Sequence, residues 1–439
     1  MHPVLRAPAI RLVEILPVTR LANKLIGDCE VLEAPDPDKP IRTILALNAT
    51  RFRGELELLQ QKGNFRIVKV PIAWQTRFYG WYYPYKEAWL DADKDPKVGR
   101  RRTRYRKLLR RIFSVMFEHF GIDLVIGASL FYRHDNDWGV VARKMGRPYY
   151  VFHRESNVSS LHAKKWNIHR ARQLNTFQGS MAVFQNTVQR EIYLAEGAVE
   201  ETNSTVIGAL RMDGLLERIE KIAGKRCQAQ NRSRKKVVLF SFGRATGIIG
   251  AEPPNWPNDG KTYLDEFCEQ THVVMSRLAA ENPEVDVVVK PKYGDIWTKN
   301  VAAYMSNAGF DPNTLPNLVI DDELDVHQLL EESDVVIGFG STTLLEAGIC
   351  GLPVLMPWFA EAREEKWQDY ILYGEEKEVF DLALSAEELY QKILFALQNP
   401  TVEPRILERR QNLFAKYLGQ SEVGSVAAAI KLLNNDKVS

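Results

Sequence analysis

Residues 334–357 read DVVIGFGSTTLLEAGICGLPVLMP and contain a strand, a turn, a helix and a second strand in succession. The apolar run Asp334–Gly338 predicts a buried strand, and Ser341 begins a helix that carries Glu346. Glycines on both sides of Phe339 permit a tight turn, and the N–H groups at a helix start attract anions such as phosphate. The alternative is that Ser341 only caps the helix and Glu346 lies on the surface.

Short β-branched runs alternate with helical patterns along the whole chain, which predicts βαβ units and parallel sheets. The predicted strands are Arg42–Leu47, Phe65–Pro71, Asp123–Gly127, Pro148–His153, Ala182–Gln185 and Thr205–Ile207, then Val237–Phe242, Val285–Lys290, Asn317–Ile320, Asp334–Gly338 and Pro353–Met356. A polar, basic segment between Leu215 and Lys236 separates the two groups. We therefore predict an α/β chain with two Rossmann-like doubly wound domains.

Composition excludes several other classes of protein. The 439 residues are 45% hydrophobic and 26% charged, which is the balance of a globular chain rather than a disordered one. The four cysteines form no C-x-x-C pair, so a zinc site or disulfide framework is not predicted. No apolar run reaches the roughly 20 residues of a membrane span, and charges interrupt the N-terminus, so a cytoplasmic location is predicted. Residues 1–220 carry 35 Lys and Arg against 24 Asp and Glu, which suggests domains with different partners.

Ligands of open α/β sheets bind beyond the carboxyl ends of the strands, so polar residues there are candidates for a site. In the second half, Arg244 lies in the glycine-containing segment that follows the strand Val237–Phe242, and guanidinium groups bind phosphate. Lys290 and Lys292 end another strand. The alternatives are a glycine turn with an exposed arginine and a solvated strand end.

In the first half, the candidates for a catalytic base follow two predicted strands. Glu155 is the first choice and Asp135 the second, because a carboxylate can take the proton of an attacking hydroxyl group. Asp137, His134 and His153 are weaker candidates. Asp137 could simply cap a helix, and a lone histidine at a strand end is more often structural.

Two segments resemble GT-B glycosyltransferases of bacterial surface-polysaccharide biosynthesis, related to CDP-glycerol- and Kdo-type transferases. Residues 338–354 have the glycine-ended strand, Ser/Thr, Glu-Ala and Gly-x-Pro-Val turn of that family, and residues 206–213 have its V-x-G-x-x-x-x-D pattern. The resemblance implies that Glu346 contacts the ribose of a nucleotide and that a lysine at 290 or 292 neutralises the leaving diphosphate. Three small residues would face that diphosphate: Gly340, Ser341 and Thr342.

The resemblance also implies an arrangement of the chain. Residues 1–215 would form an acceptor-binding domain and residues 216–403 a nucleotide-sugar-binding domain, the two facing a cleft, with the helical segment 404–439 crossing back to the first. No metal and no cofactor are implied, because positive side chains can offset the charge of the leaving group. One departure concerns retaining enzymes of the family, which often have a second Glu eight positions before the first, where this chain has Gly338.

A basic stretch beside aromatic residues bears on the partner. Arg100–Arg111 has eight basic residues in twelve, and Trp74–Tyr85 is rich in Trp, Tyr and Phe. Such a pair suits anionic lipid headgroups or a lipid-linked acceptor at a membrane surface. It would also suit RNA, but no RNA-binding motif accompanies it, so no nucleic-acid partner is predicted. The alternative is a basic helix face with the aromatic residues packed beneath a loop.

The leading functional hypothesis is a metal-independent glycosyltransferase that moves a sugar from a nucleotide-sugar donor to a surface-glycan acceptor, such as capsule, O-antigen or a lipid-linked glycan. Its predicted location is cytoplasmic, with peripheral contact at the inner face of the membrane as a further expectation. A CDP-polyol-type phosphotransferase or a nucleotide-sugar epimerase could use the same architecture, and a non-catalytic binding protein is a third alternative. The sugar, the nucleotide, the acceptor and the stereochemistry stay open.

Overall fold

A computed structural model describes residues 18–154, 157–222, 224, 234–247, 263–292, 294–419 and 424–435. Within these ranges the chain forms two compact units. The first domain comprises the described residues of Met1–Ser156, Ile168–Asp213 and Leu418–Ser439, and the second those of Asn157–Asn167 and Gly214–Tyr417. The segment that follows residue 403 therefore divides between the two domains.

The helices of the described chain alternate with its strands. They are α1 (Val18–Gly27), α2 (Glu55–Gly63), α3 (Ile72–Tyr82), α4 (Pro96–Phe120), α5 (Arg133–Lys144), α6 (Leu161–Gln173), α7 (Thr187–Ala195), α8 (Met212–Leu216), α9 (Asp265–Glu281), α10 (Gly294–Asn307), α11 (Val326–Glu332), α12 (Thr343–Ile349), α13 (Glu365–Gln368), α14 (Ala386–Gln398), α15 (Pro404–Leu418) and α16 (Ser425–Asn435). None of these helices is both long enough and apolar enough to cross a membrane.

The sheet of the first domain is almost entirely parallel. Its strands are β1 (Glu30–Leu32), β2 (Arg42–Ala46), β3 (Phe65–Lys69), β4 (Leu124–Gly127), β5 (Tyr149–His153), β6 (Met181–Phe184) and β7 (Ser204–Val206). Their spatial order is β1-β3-β2-β4-β5-β6-β7, and β1 alone runs antiparallel, at the edge. The central strands are buried on both faces, which is why they appear in the sequence as continuous apolar runs.

The sheet of the second domain is parallel throughout the described strands. They are β8 (Lys235–Phe240), β9 (Val285–Lys290), β10 (Leu318–Ile320), β11 (Val335–Gly338), β12 (Val354–Pro357) and β13 (Asp381–Ala383), in the order β10-β9-β8-β11-β12-β13. This is the doubly wound order of a Rossmann fold. The prediction of an α/β chain with two Rossmann-like domains is confirmed.

The aromatic stretch Trp74–Tyr85 belongs largely to the core of the first domain. Trp74, Phe78 and Tyr82 on α3 are buried, and the Phe78 ring stacks on that of Trp138 with centroids 5.9 Å apart. Tyr85, at 47% exposure, is an exception. The interpretation of this stretch as a membrane-facing aromatic surface is therefore wrong, because its rings supply the apolar area that α4 and α5 pack against.

The C-terminal helices are anchored by buried polar contacts. In the second domain, the Arg410 guanidinium of α15 donates hydrogen bonds to the carbonyl groups of Val379 at 2.7 Å and Leu352 at 2.9 Å. In the first domain, the Asp213 carboxylate accepts hydrogen bonds from backbone N–H groups at the start of α16, including that of Val426 at 2.8 Å. Asp213 is the last residue of the V-x-G-x-x-x-x-D pattern, and it satisfies N–H groups that the helix leaves open.

Candidate functional site

The strand order of the second sheet reverses between β8 and β11. These two strands are parallel neighbours, with Phe240 paired to Gly338, while the later strands run outward on both sides of them. The connections from these two strands lead to opposite sides of the sheet, which leaves a crevice at the carboxyl ends of the strands. Ligands of doubly wound sheets bind in that crevice. The two segments singled out in the sequence, Phe242–Gly247 and Gly338–Thr343, are the loops that follow β8 and β11.

The two loops touch through glycine positions. Gly340 has a φ of 59°, and a Cβ atom placed on it would lie 2.6 Å from Cγ2 of Thr246. Gly247 has a φ of 88°, and a Cβ atom there would lie 2.3 Å from the carbonyl oxygen of Tyr370. Both the backbone conformation and the lack of space require glycine, so this part of the crevice is shaped by bare backbone.

Ser341 and Thr342 lie at the start of α12. The Ser341 hydroxyl oxygen accepts hydrogen bonds from the Thr343 hydroxyl at 2.9 Å and from the Thr343 N–H at 3.3 Å. Ser341 thus bonds to the first residue of α12 from the turn before it, while the N-cap residue, Thr342, makes no side-chain cap hydrogen bond. Both Ser341 and Thr342 are partly exposed. Because α12 has only seven residues, an anion here would be held by the hydroxyl and N–H groups of the turn more than by a long helix dipole.

Glu346 is buried, with 3% of its surface exposed. Its Oε2 lies 3.6 Å from Nε2 of His327, at the start of α11, whose side chain is 19% exposed. The alternative of a surface glutamate is therefore wrong. His327 was missed in the sequence, where the signal was a polar residue just after the carboxyl end of β10, the same rule that selected the other candidates.

The three basic candidates differ in their surroundings. Arg244 is exposed, and its guanidinium lies 3.6 Å from an Asp265 carboxylate oxygen, too far for a strong ion pair. Lys290 instead donates to the carbonyl group of Asp322 at 2.5 Å. Burial lowers the pKa of Lys290, while the acidic residues of the stretch 321–325 oppose that shift. Lys292 is exposed, so Arg244 and Lys292 are more accessible to an anionic ligand than Lys290.

The strand order of the first sheet reverses between β2 and β4. The residues that follow β2 form a second polar cluster. Glu55, the first residue of α2, is buried, and its Oε2 lies 2.9 Å from Nε of Arg154. Burial raises the pKa of Glu55, although the positive charges of Arg154, Arg211 and Arg53 act to lower it. Glu55 was not predicted as a site residue, although it follows β2 as Asp135 follows β4.

Of the two carboxylates predicted to be catalytic, Glu155 lies outside the described residues and Asp135 lies within them. Asp135 is fully buried, where its Oδ1 accepts a hydrogen bond from the Gln75 amide at 3.0 Å and its Oδ2 one from the Ala128 N–H at 3.4 Å. Burial raises the pKa of Asp135 to about 7. With no exposed surface, its carboxylate cannot contact an acceptor in this conformation, so Asp135 is not proposed as the catalytic base.

The weaker candidates are structural. Asp137 is buried and pairs with Nε of Arg106 at 2.6 Å. His153 is buried, with its ring nitrogens 3.1 Å from the Ser129 hydroxyl and 2.9 Å from the Tyr193 hydroxyl, and burial lowers its pKa to about 3. Burial also lowers the pKa of His134, to about 4. Neutral, hydrogen-bonded histidines of this kind support the loops around them.

Solved structures share this fold. A putative UDP-N-acetylglucosamine 2-epimerase from Listeria monocytogenes superposes with a TM-score of 0.50 at 11% identity, covering 91% of this chain and 98% of that one. The UDP-GlcNAc 2-epimerase from Neisseria meningitidis gives 0.49 at 13% identity (90% and 100% coverage), and the wall teichoic acid polymerase TagF 0.45 at 14% (72% and 73%). At these identities the likeness concerns the fold alone. No protein-family model and no curated protein matches the chain.

Proposed function

We propose that the protein is a glycosyltransferase that uses a nucleotide-sugar donor, and that its second domain binds the nucleotide. The observation that carries the proposal is the contact between the two glycine turns at the β8–β11 switch point, with Glu346 on the helix that follows the second turn. Bare backbone and hydroxyl groups accommodate a diphosphate, and a carboxylate in such a crevice accepts hydrogen bonds from ribose hydroxyls. Arg244 and Lys292 would balance the charge of the departing diphosphate.

Thermal unfolding with UDP, GDP, dTDP, CDP and CMP, with and without magnesium, tests this assignment. A ligand that binds the native state raises the melting temperature by mass action, and we expect one nucleotide to do so without metal. Glu346→Gln should lower the affinity for that nucleotide by roughly 10- to 100-fold, because hydrogen bonds to a charged acceptor are lost. Glu387→Gln, at an exposed position of α14, is the matched control. If no nucleotide shifts the transition, the non-catalytic alternative gains support.

A nucleotide-sugar epimerase is the second candidate, and the fold shared with the Listeria protein favours it. The two reactions differ in what they require and release. An epimerase converts its nucleotide sugar with no acceptor present, whereas a transferase releases a nucleoside diphosphate, or a monophosphate from a CMP-linked donor, only when an acceptor is supplied. A CDP-polyol-type phosphotransferase also releases a nucleoside monophosphate, but it leaves a phosphodiester in the acceptor product. Chromatography of the nucleotide products, with and without a glycan acceptor, and phosphate analysis of the acceptor product separate the three.

We further propose that the acceptor is anionic and is bound along α4. Arg100, Arg104, Lys107 and Arg111 are exposed and follow the spacing of one helix face. The inward-facing basic residues of the same helix are engaged differently: Arg102 pairs with Asp93 and Arg106 with Asp137. A row of cations on one face supports attraction to an acidic glycan or to the anionic lipid that carries one.

Charge reversal tests the role of this face. Arg100→Glu with Lys107→Glu should weaken binding to phosphatidylglycerol vesicles or to an acidic polysaccharide by roughly 10-fold or more, since each cation contributes about 1 kcal/mol at such a surface. Added salt should also weaken the binding of the wild-type protein to these vesicles or to the polysaccharide, because it screens the charges. Lys299→Glu with Arg363→Glu, exposed residues of the second domain, is the matched control. Equal binding by the two double variants would contradict the assignment.

A further inference from the structure

A small pocket opens at the carboxyl edge of the first sheet, beside Glu55. Its walls come from the ends of β5 and β6, from the loop after β7 and from the start of α2: Glu55, Phe152, His153, Arg154, Val183, Phe184, Gln185, Gly208 and Leu210. Its volume of about 10 Å³ is room for one water-sized group. A whole sugar or phosphate does not fit, but a single hydroxyl group does.

Two polar atoms of this pocket have no hydrogen-bond partner within the described chain: Oε1 of Glu55 and Nε of Arg154. Glu55 is 1% exposed, and its Oε2 lies 2.9 Å from that Nε, outside hydrogen-bonding geometry. The backbone N–H of Arg211 also acts on the Glu55 carboxylate. The ring nitrogens of His153, also in the wall, are engaged with Ser129 and Tyr193. Leaving a buried carboxylate oxygen unpaired is costly, so a donor group is expected to fill the pocket.

The surrounding charges determine which donor that is. Arg154 lies 2.9 Å from Glu55, and the positive charges of Arg53 and Arg211 also act on this carboxylate, so three cations act on one anion. This excess of positive charge disfavours an ammonium group and favours a neutral hydroxyl donor. It also favours a ligand with an anionic group nearby, because guanidinium binds phosphate and carboxylate strongly.

We infer that this pocket is a subsite for one hydroxyl group of an anionic, polyhydroxylated ligand, with Glu55 Oε1 accepting the hydrogen bond of that hydroxyl. The inference rests on the proposed function only in assigning the ligand to the acceptor rather than to the donor. It requires no nucleotide, so it can fail while the nucleotide assignment holds, and the reverse is equally possible.

Two phosphate esters that differ only in their hydroxyl groups test the subsite. Isothermal titration calorimetry of the full chain compares glycerol 3-phosphate with n-propyl phosphate, which has the same chain and charge but no hydroxyl. We expect glycerol 3-phosphate to bind roughly 10- to 100-fold more tightly, as for a buried hydrogen bond to a charged acceptor. Inorganic phosphate, as a third probe, measures what the arginines contribute alone.

Variants then assign the difference to this pocket. Glu55→Gln should reduce the preference for glycerol 3-phosphate by roughly 10-fold. Glu57→Gln, on the same helix but partly exposed and paired with Lys69, should leave the preference unchanged. Val183→Ile leaves every charge in place and fills the pocket with one methyl group, so it should remove the preference even if the Glu55 variant unfolds. Equal affinities of the two esters in the wild-type protein, or no binding of either at millimolar concentration, would mean that the pocket holds water only and would overturn the inference.

Discussion

At the scale of single residues, Asp135 makes the stability of the first domain depend on pH. Burial raises its pKa in the folded chain to about 7, from an ordinary value of 3.8. The folded state therefore holds this proton over a range in which the unfolded chain has already released it. Stability attributable to Asp135 is complete at pH values below about 4, falls as the pH rises, and levels off above about 7.

Asp135→Asn should remove this dependence. Each pKa unit corresponds to about 1.4 kcal/mol, so the free energy of unfolding of the wild-type protein relative to the variant should decrease by roughly 2–3 kcal/mol between pH 5 and pH 8. Urea denaturation of both proteins at several pH values measures the difference. A constant difference over that range would show that Asp135 keeps an ordinary pKa in the folded chain.

At the scale of elements, Asp213 determines whether α16 stays on the first domain. Its carboxylate is buried and accepts hydrogen bonds from the N–H groups of Gly424, Ser425 and Val426. Asp213→Ala should destabilise the protein by roughly 2–3 kcal/mol, since it removes a helix cap and leaves buried donors unpaired. Asp325→Ala, which removes the single exposed cap of α11, should cost only about 1 kcal/mol. Equal losses in denaturation experiments would remove the distinction between the two caps.

At the scale of the whole molecule, the last helix, α16, supports the first domain and not the second. Val426, Ala429 and Leu433 of α16 belong to the same apolar core as Leu56 and Leu59 of α2. A chain ending at Gly419 lacks this core surface, so the amide groups of α2 and β2 should exchange hydrogen much faster, while those of β8 and β11 keep their protection. Hydrogen exchange followed by mass spectrometry measures both. Equal loss of protection in both sheets would mean that the domains unfold together.

The sequence was sufficient for most strands, because a strand buried on both faces must be apolar at nearly every position. β9 was predicted with its observed ends, Val285–Lys290, and the other long strands within two residues. The edge strands β1 and β13 were missed, since each has three residues that include an acidic side chain and form no apolar run. Neighbouring strands in the sheet, not their own side chains, determine that these residues are extended.

The amino-acid sequence alone specifies the two doubly wound domains and the glycine, hydroxyl and Glu346 segment of the second, because a local order of strand, turn and helix lies in consecutive residues. Which polar residues are buried depends on the folded chain. Folding puts Asp135 in the interior, brings His327 to Glu346, and brings the charges of Arg154 and Arg211, from distant segments, to Glu55. Burial and charge depend on contacts between residues far apart in the chain, and a single sequence does not record those contacts.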